Sequence, residues 1–131
     1  MIIGSVLAVS LVLNVSLGLQ APAPAAHAGW MQQLSLPQRN AALLPAVRRA
    51  TECIVQRAAS DARYRADMSP AEMNDLIVDS ITACGRLVRA MMDVHDRMYG
   101  AGSGEAFLLG PYLDVLPAAV VRQARARMPA R

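Results

Sequence analysis

The chain has 131 residues, enough for one small domain, and a formal net charge of +3. All thirteen of its basic residues are arginine. The lack of lysine excludes Schiff-base chemistry, a Ser–Lys dyad and the lysine-dependent nucleotide P-loop.

The charge is unevenly placed, because the first charged side chain is Arg39. Before it, "MIIGSVLAVSLVLNVSLGLQ" is apolar with scattered Ser, Gly and Asn, and "APAPAAHAGW" follows. An apolar run leading to a small-x-small site, Ala26-His27-Ala28, matches a secretory signal cut before Gly29. That reading divides the chain into a signal peptide, 1–28, and an exported helical domain, 29–131. No Arg or Lys precedes the apolar run, so either the terminal amine suffices or the true start lies upstream of Met1. The rival reading retains residues 2–19 as a membrane anchor. As a helix they would span roughly 27 Å, just enough for a thin bilayer. His27 lies in the cleavage region and is set aside.

Two cysteines follow, Cys53 and Cys84. An even number in an exported chain reads as a disulfide. Closing that loop stabilises the fold by roughly 3–4 kcal/mol on the chain-entropy model. In a cytosolic chain the same residues would be reduced, buried thiols.

Helical signals then run in order. Ser35, with Pro37 and Gln38 behind it, reads as a possible helix start. Pro45 interrupts, so the main first helix is expected to begin there. Its apolar positions are Val47, Thr51, Ile54, Val55 and Ala58, with Arg48, Arg49, Glu52 and Gln56 opposite. "SPAEMNDLIVDS" carries a full capping box, with Ser69 as cap, Pro70 first in the helix and Glu72 reaching back. The stripe that follows steps by four and three through Ile77, Ile81, Cys84, Val88, Met91, His95 and Met98, and Gly100 is expected to end it in the left-handed conformation. A rod of that length, roughly 45 Å, suits either a kink at Gly85 or an elongated hairpin. Gly85 is also expected to let another backbone approach beside Cys84. Pro111 and Pro117 are spaced as helix starters. A last helix from Pro117 would turn Val121, Ala124 and Met128 inward and Arg122, Arg125 and Arg127 outward. No segment alternates like a strand. The expected fold is all-α, three to four helices, a disulfide-pinned helical hairpin plus a C-terminal helix.

Chemistry concentrates in "CGRLVRAMMDVHDRMYGAGSGEAF". His95-Asp96 followed by Tyr99 resembles the histidine–aspartate pair on the disulfide-bonded helix of secreted calcium-dependent phospholipases. The resemblance implies that His activates water and Asp binds calcium. It also implies a glycine-rich calcium loop ahead of the helix and a cysteine-rich framework. Here residues 60–80 contain no glycine, the glycines at 100, 102 and 104 come afterwards, and there are two cysteines.

On its own geometry His95 continues the core stripe. Neighbouring side chains on a helix point about 100° apart, which is poor for Asp96 to orient His95. His95, Asp96 and Glu105 therefore stand as catalytic candidates of an alternative reading. Arg89, Asp93 and Arg97 read as an exposed ladder of ion pairs. The glycines follow a helix rather than a strand, so they read as a helix cap and flexible linker and not a dinucleotide turn. One usable histidine and a paired set of cysteines make no tetrahedral zinc site, and Asp93, Asp96 and Glu105 lack the EF-hand order. No metal or cofactor is expected.

Arg122, Arg125, Arg127 and Arg131 could hold an acidic surface. The same arginines also suit a helix C-terminus. With few aromatics among them, nucleic acid is not expected. Tyr112 and Leu113, between two prolines, either cover the open end of the hairpin or form an exposed ledge for another protein. The expected function is a small exported helical protein without catalytic activity, acting by binding a protein partner or a second copy of itself. An envelope hydrolase using His95 is one alternative. A single-pass protein with an external helical domain is the other, and membrane contact is expected only there.

Overall fold

The computed structural model describes residues 34–128. The signal peptide, the alternative anchor, the Gly29 boundary and Arg131 all lie outside them. Among the described residues every regular element is helical: α1 (Leu36–Ser60), α2 (Pro70–Ala83), α3 (Gly85–Tyr99), α4 (Ser103–Phe107), a π-helical turn (Leu108–Tyr112) and α5 (Leu113–Arg127).

These elements form three rods. α2 and α3 together run antiparallel to α1, as two contacts show. Cys84 bonds to Cys53, and the Tyr99 hydroxyl donates to Asn40 Oδ1 near the start of α1. The third rod, α4 through α5, runs back alongside α1. Tyr112 Oη lies 3.0 Å from Thr51 Oγ1, and Arg127 donates to Ser60 Oγ. The path is up, down, up around one core. Ala50, Ile54 and Ala58 of α1 meet Leu76 and Ile77 of α2, Val88 and Met91 of α3, and Tyr112, Leu116 and Val120 of the third rod. The hairpin expectation therefore holds, with the C-terminal helix completing the bundle.

The start of α1 departs from expectation. It begins at Leu36, and Pro45 lies inside it. The Ser35 amide donates to Gln38 Oε1 at 2.9 Å, so the capping box nucleates the helix a full ten residues before the proline's own position. Pro45 and Ala41 are both exposed. The carbonyl that loses its partner to the proline thus belongs to the solvent side of the helix, where water can serve it.

The capping box at α2 is present. Ser69 Oγ accepts from the Glu72 amide at 3.3 Å, and the Ser69 amide donates to Glu72 Oε2 at 2.7 Å. The stripe beyond it is broken at Cys84, which takes φ −93° and ψ 14°. Ile77, Cys84, Val88, Met91 and Met98 are buried as expected, while Ile81 and His95 are half-buried. Gly85 makes no close approach, since a Cβ there would meet nothing within 4 Å. The break coincides with the disulfide to Cys53 and not with a close backbone contact at Gly85.

The two later prolines start no helix. The chain is helical from Ser103 to Arg127, with Pro111 inside the π-helical turn and Pro117 inside α5. A wider turn is one way a helix absorbs a residue that cannot donate. By length and hydropathy alone this rod is apolar enough to cross a membrane, yet Tyr112, Leu116 and Val120 from it are fully buried in the bundle. Val121 is half-buried and Ala124 is buried, but Met128 is 72% exposed because the helix ends one residue before it.

Candidate functional site

The densest polar geometry lies where α3 turns into α4. α3 ends at Gly100, whose φ of 116° and ψ of 153° is not the expected left-handed cap; Gly102, at φ 81°, takes that conformation instead. The turn delivers the α4 amides to Asp96. Its Oδ1 accepts from the Gly104 amide at 2.6 Å, a carboxylate capping the first turn of the next helix. Gly104 is no linker. A Cβ built there would sit 2.4 Å from the Met92 carbonyl oxygen, so α4 lies directly against the backbone of α3.

His95 lies in the same corner. Its Nδ1 is 2.8 Å from Ser103 Oγ, and its ring centroid is 4.6 Å from those of both Tyr99, tilted by 34°, and Phe107, stacked at 19°. Phe107 in turn contacts Tyr112 at 5.7 Å. The four rings form a ladder whose two ends reach α1, Tyr99 at Asn40 and Tyr112 at Thr51. Burial pushes the His95 imidazole below its ordinary value, and the adjacent Asp96 charge opposes that in part. The ring is therefore held neutral near neutrality, with one nitrogen committed to Ser103.

Chemically, a serine hydroxyl at hydrogen-bond distance from an imidazole is the contact of a nucleophile with its base. The sequence points to His95 but not to Ser103, because a spacing of eight residues across a turn carries no signal for the pair. Asp96 Oδ1 accepts from the Gly104 amide, and the side-chain hydrogen bond of His95 goes to Ser103. Glu105 is exposed on the first turn of α4 and is not among the groups bonded to His95. The three sequence candidates thus do not converge. Among the described residues no three His, Cys, Asp or Glu side chains cluster as a metal site.

The binding-surface candidates divide. Tyr112 is 2% exposed and belongs to the core, so it forms no ledge; burial raises its phenol above the ordinary value, partly offset by the Thr51 hydroxyl. Leu113 is half-buried, and the exposed apolar side chains of the segment are Leu109 and Val115. Arg122, Arg125 and Arg127 are exposed, as the helical phase predicts.

The Arg89–Asp93–Arg97 ladder is not among the ion pairs of the described residues. Those gather instead around the α1–α2 loop. Arg63 binds Asp61 at 3.0 Å and Asp79 at 2.8 Å, and Arg65 binds Glu72 at 2.9 Å. Arg63 holds the Asp61 carboxyl at about 2. The Ser69 amide, with the Ser69 hydroxyl and then Arg65 adding to it, lowers Glu72 to about 2.

No protein-family model, no curated protein and no solved structure matches this chain. The Cys53–Cys84 disulfide itself points to an oxidising compartment.

Proposed function

We propose that this is a small exported helical protein that acts by binding and has no catalytic activity. The observation that supports this most is the use already made of the chemical groups in the α3–α4 corner. His95 is stacked on Phe107, in tilted contact with Tyr99 and bonded to Ser103, and Asp96 Oδ1 accepts from a helix amide. These are the duties of a structural joint. The apolar N-terminal run, the Ala26-His27-Ala28 site and the paired cysteines together support export. The partner is another envelope or extracellular protein, a second copy of the chain, or an acidic surface met by Arg122, Arg125 and Arg127.

The contact between Ser103 and His95 supports one rival, a hydrolase in which Ser103 is the nucleophile and His95 its base. Assays of wild type, Ser103→Ala and His95→Asn on phospholipid and peptidoglycan decide between the two. The binding reading expects no turnover from any of the three. Turnover in wild type that both substitutions abolish, with helicity retained, establishes the hydrolase. N-terminal sequencing of the extracytoplasmic fraction tests export, with Gly29 expected and Met1 marking a retained anchor.

A further inference from the structure

A cavity of about 460 Å³ opens between the end of α1, the α1–α2 loop and the end of α5. That volume falls in the range of small-ligand sites, roughly 300–1,000 Å³. Its inner part is apolar: Ala124 is buried, and Ala59, Tyr64 and Val121 are half-buried. Ala66 and Met128 are exposed at its outer part, and two arginines, Arg65 and Arg125, complete the lining, which includes no acidic residue. The two cavities nearby differ in kind, since each includes acidic side chains, Glu72 and Asp75 in one and Asp61 and Asp79 in the other.

The two arginines are not equivalent. Arg65 is neutralised by Glu72 at 2.9 Å and Asp67 at 3.6 Å. Arg125 takes part in none of the ion pairs of the described residues. It therefore presents an uncompensated cation beside an apolar wall. α1 and α5 both end here, and the partial negative charge of a helix C-terminus weakens the hold of Arg125 on any anion. A bare anion is therefore a poor fit, whereas a ligand with an apolar chain also gains the apolar wall. A molecule with an apolar chain and an acidic head suits both features. The chain covers the alanine, valine and methionine surface, and the head meets the Arg125 guanidinium at the rim.

We infer that this cavity binds a free single-chain anionic amphiphile, such as a fatty acid, with Arg125 holding the head group. The inference rests on the binding reading above and deepens it by naming a ligand class. The two fail separately, because a cavity that takes no amphiphile leaves the outcome of the turnover assays unchanged.

The test is a titration of the oxidised full-length protein, labelled with nitrogen-15, with dodecanoate below its aggregation concentration. Inorganic phosphate, dodecyltrimethylammonium and phosphatidylglycerol vesicles are the comparison probes. Amide shifts localise the site and separate it from any binding to the apolar N-terminal run. Saturable shifts at Ala59, Tyr64, Ala66 and Val121 with dodecanoate are expected. Phosphate alone should give none, and the cationic chain should bind at least about tenfold more weakly. Arg125→Gln should weaken dodecanoate by about five- to tenfold. Ala66→Phe, at an exposed loop position that fills the mouth, should abolish the shifts while helicity stays unchanged. Equal affinity for the cationic and anionic chains overturns the inference. So do shifts confined to residues outside the cavity, unchanged affinity in both variants, or response to vesicles only, the last identifying a bilayer-surface contact instead.

Discussion

The chain reverses or breaks its helical path at two places that look alike in sequence, each a glycine beside a functional-looking residue. At Cys84-Gly85 the glycine has open space around it, and a covalent bond fixes the joint. At Gly102 to Gly104 there is no covalent bond, and contact fixes the joint: Gly104 against the Met92 backbone, Asp96 on the Gly104 amide, His95 on Ser103. The first joint acts chiefly by limiting the unfolded chain, and the second acts only in the folded one. A glycine is therefore informative only through what a methyl group would meet there.

Removing the covalent joint has the largest expected effect. The disulfide closes a sequence separation of 31, and Cys53→Ser with Cys84→Ser should lower stability by about 3–4 kcal/mol. Denaturant unfolding of oxidised wild type against the double variant measures it. At the contact joint, Gly104→Ala should cost about 1–3 kcal/mol, because the atom it meets is backbone and cannot swing aside. Gly85→Ala sharpens the contrast with the opposite sign, a gain of about 0.4–1 kcal/mol from a less flexible unfolded chain. Equal losses at the two glycines would erase the distinction. Asp96→Ala should cost about 1 kcal/mol through the lost cap, with faster amide exchange in α4 as the local readout.

The smallest effect is read against pH. Burial holds His95 below its ordinary value of about 6.5, so below that pH the unfolded chain binds a proton that the folded chain resists. Stability should be fully present above about pH 6.5 and should decline as pH falls through that value. His95→Gln should flatten this slope. Asp61 and Glu72, held at about 2 in the fold, contribute in a separate window. Their stabilisation is present above about pH 4.5 and is lost towards pH 2, and being exposed they contribute modestly.

Much of the fold is legible in the sequence because its signals are local. The Ser69–Glu72 capping box and the stripe through Ile77, Cys84, Val88 and Met91 need only a few residues and one helical period to read. The cysteine pairing is legible because two cysteines allow one partner each. Proline is a weaker helix boundary here than its chemistry suggests. Pro45, Pro111 and Pro117 all lie within helical segments: an upstream cap sets the start of α1, the carbonyl left free by Pro45 belongs to exposed Ala41, and a π turn holds Pro111.

The corner chemistry is only half legible. His95 and Asp96 stand out by residue type, but their partners Ser103 and Gly104 are set by where α4 packs, and no local pattern encodes that. Tyr112, for which the sequence leaves a cover over the hairpin and an exposed ledge both open, takes the buried alternative for a related reason. No local pattern chooses between the two, because its hydroxyl meets Thr51 across the bundle, sixty-one residues away.

The most direct measurement is peptide mass mapping of the native protein, alkylated before any reduction. A single cross-linked pair joining the Cys53 and Cys84 peptides, in material that begins at Gly29, is the predicted result. Both cysteines recovered as alkylated free thiols would contradict an oxidised helical bundle exported from the reducing interior of the cell.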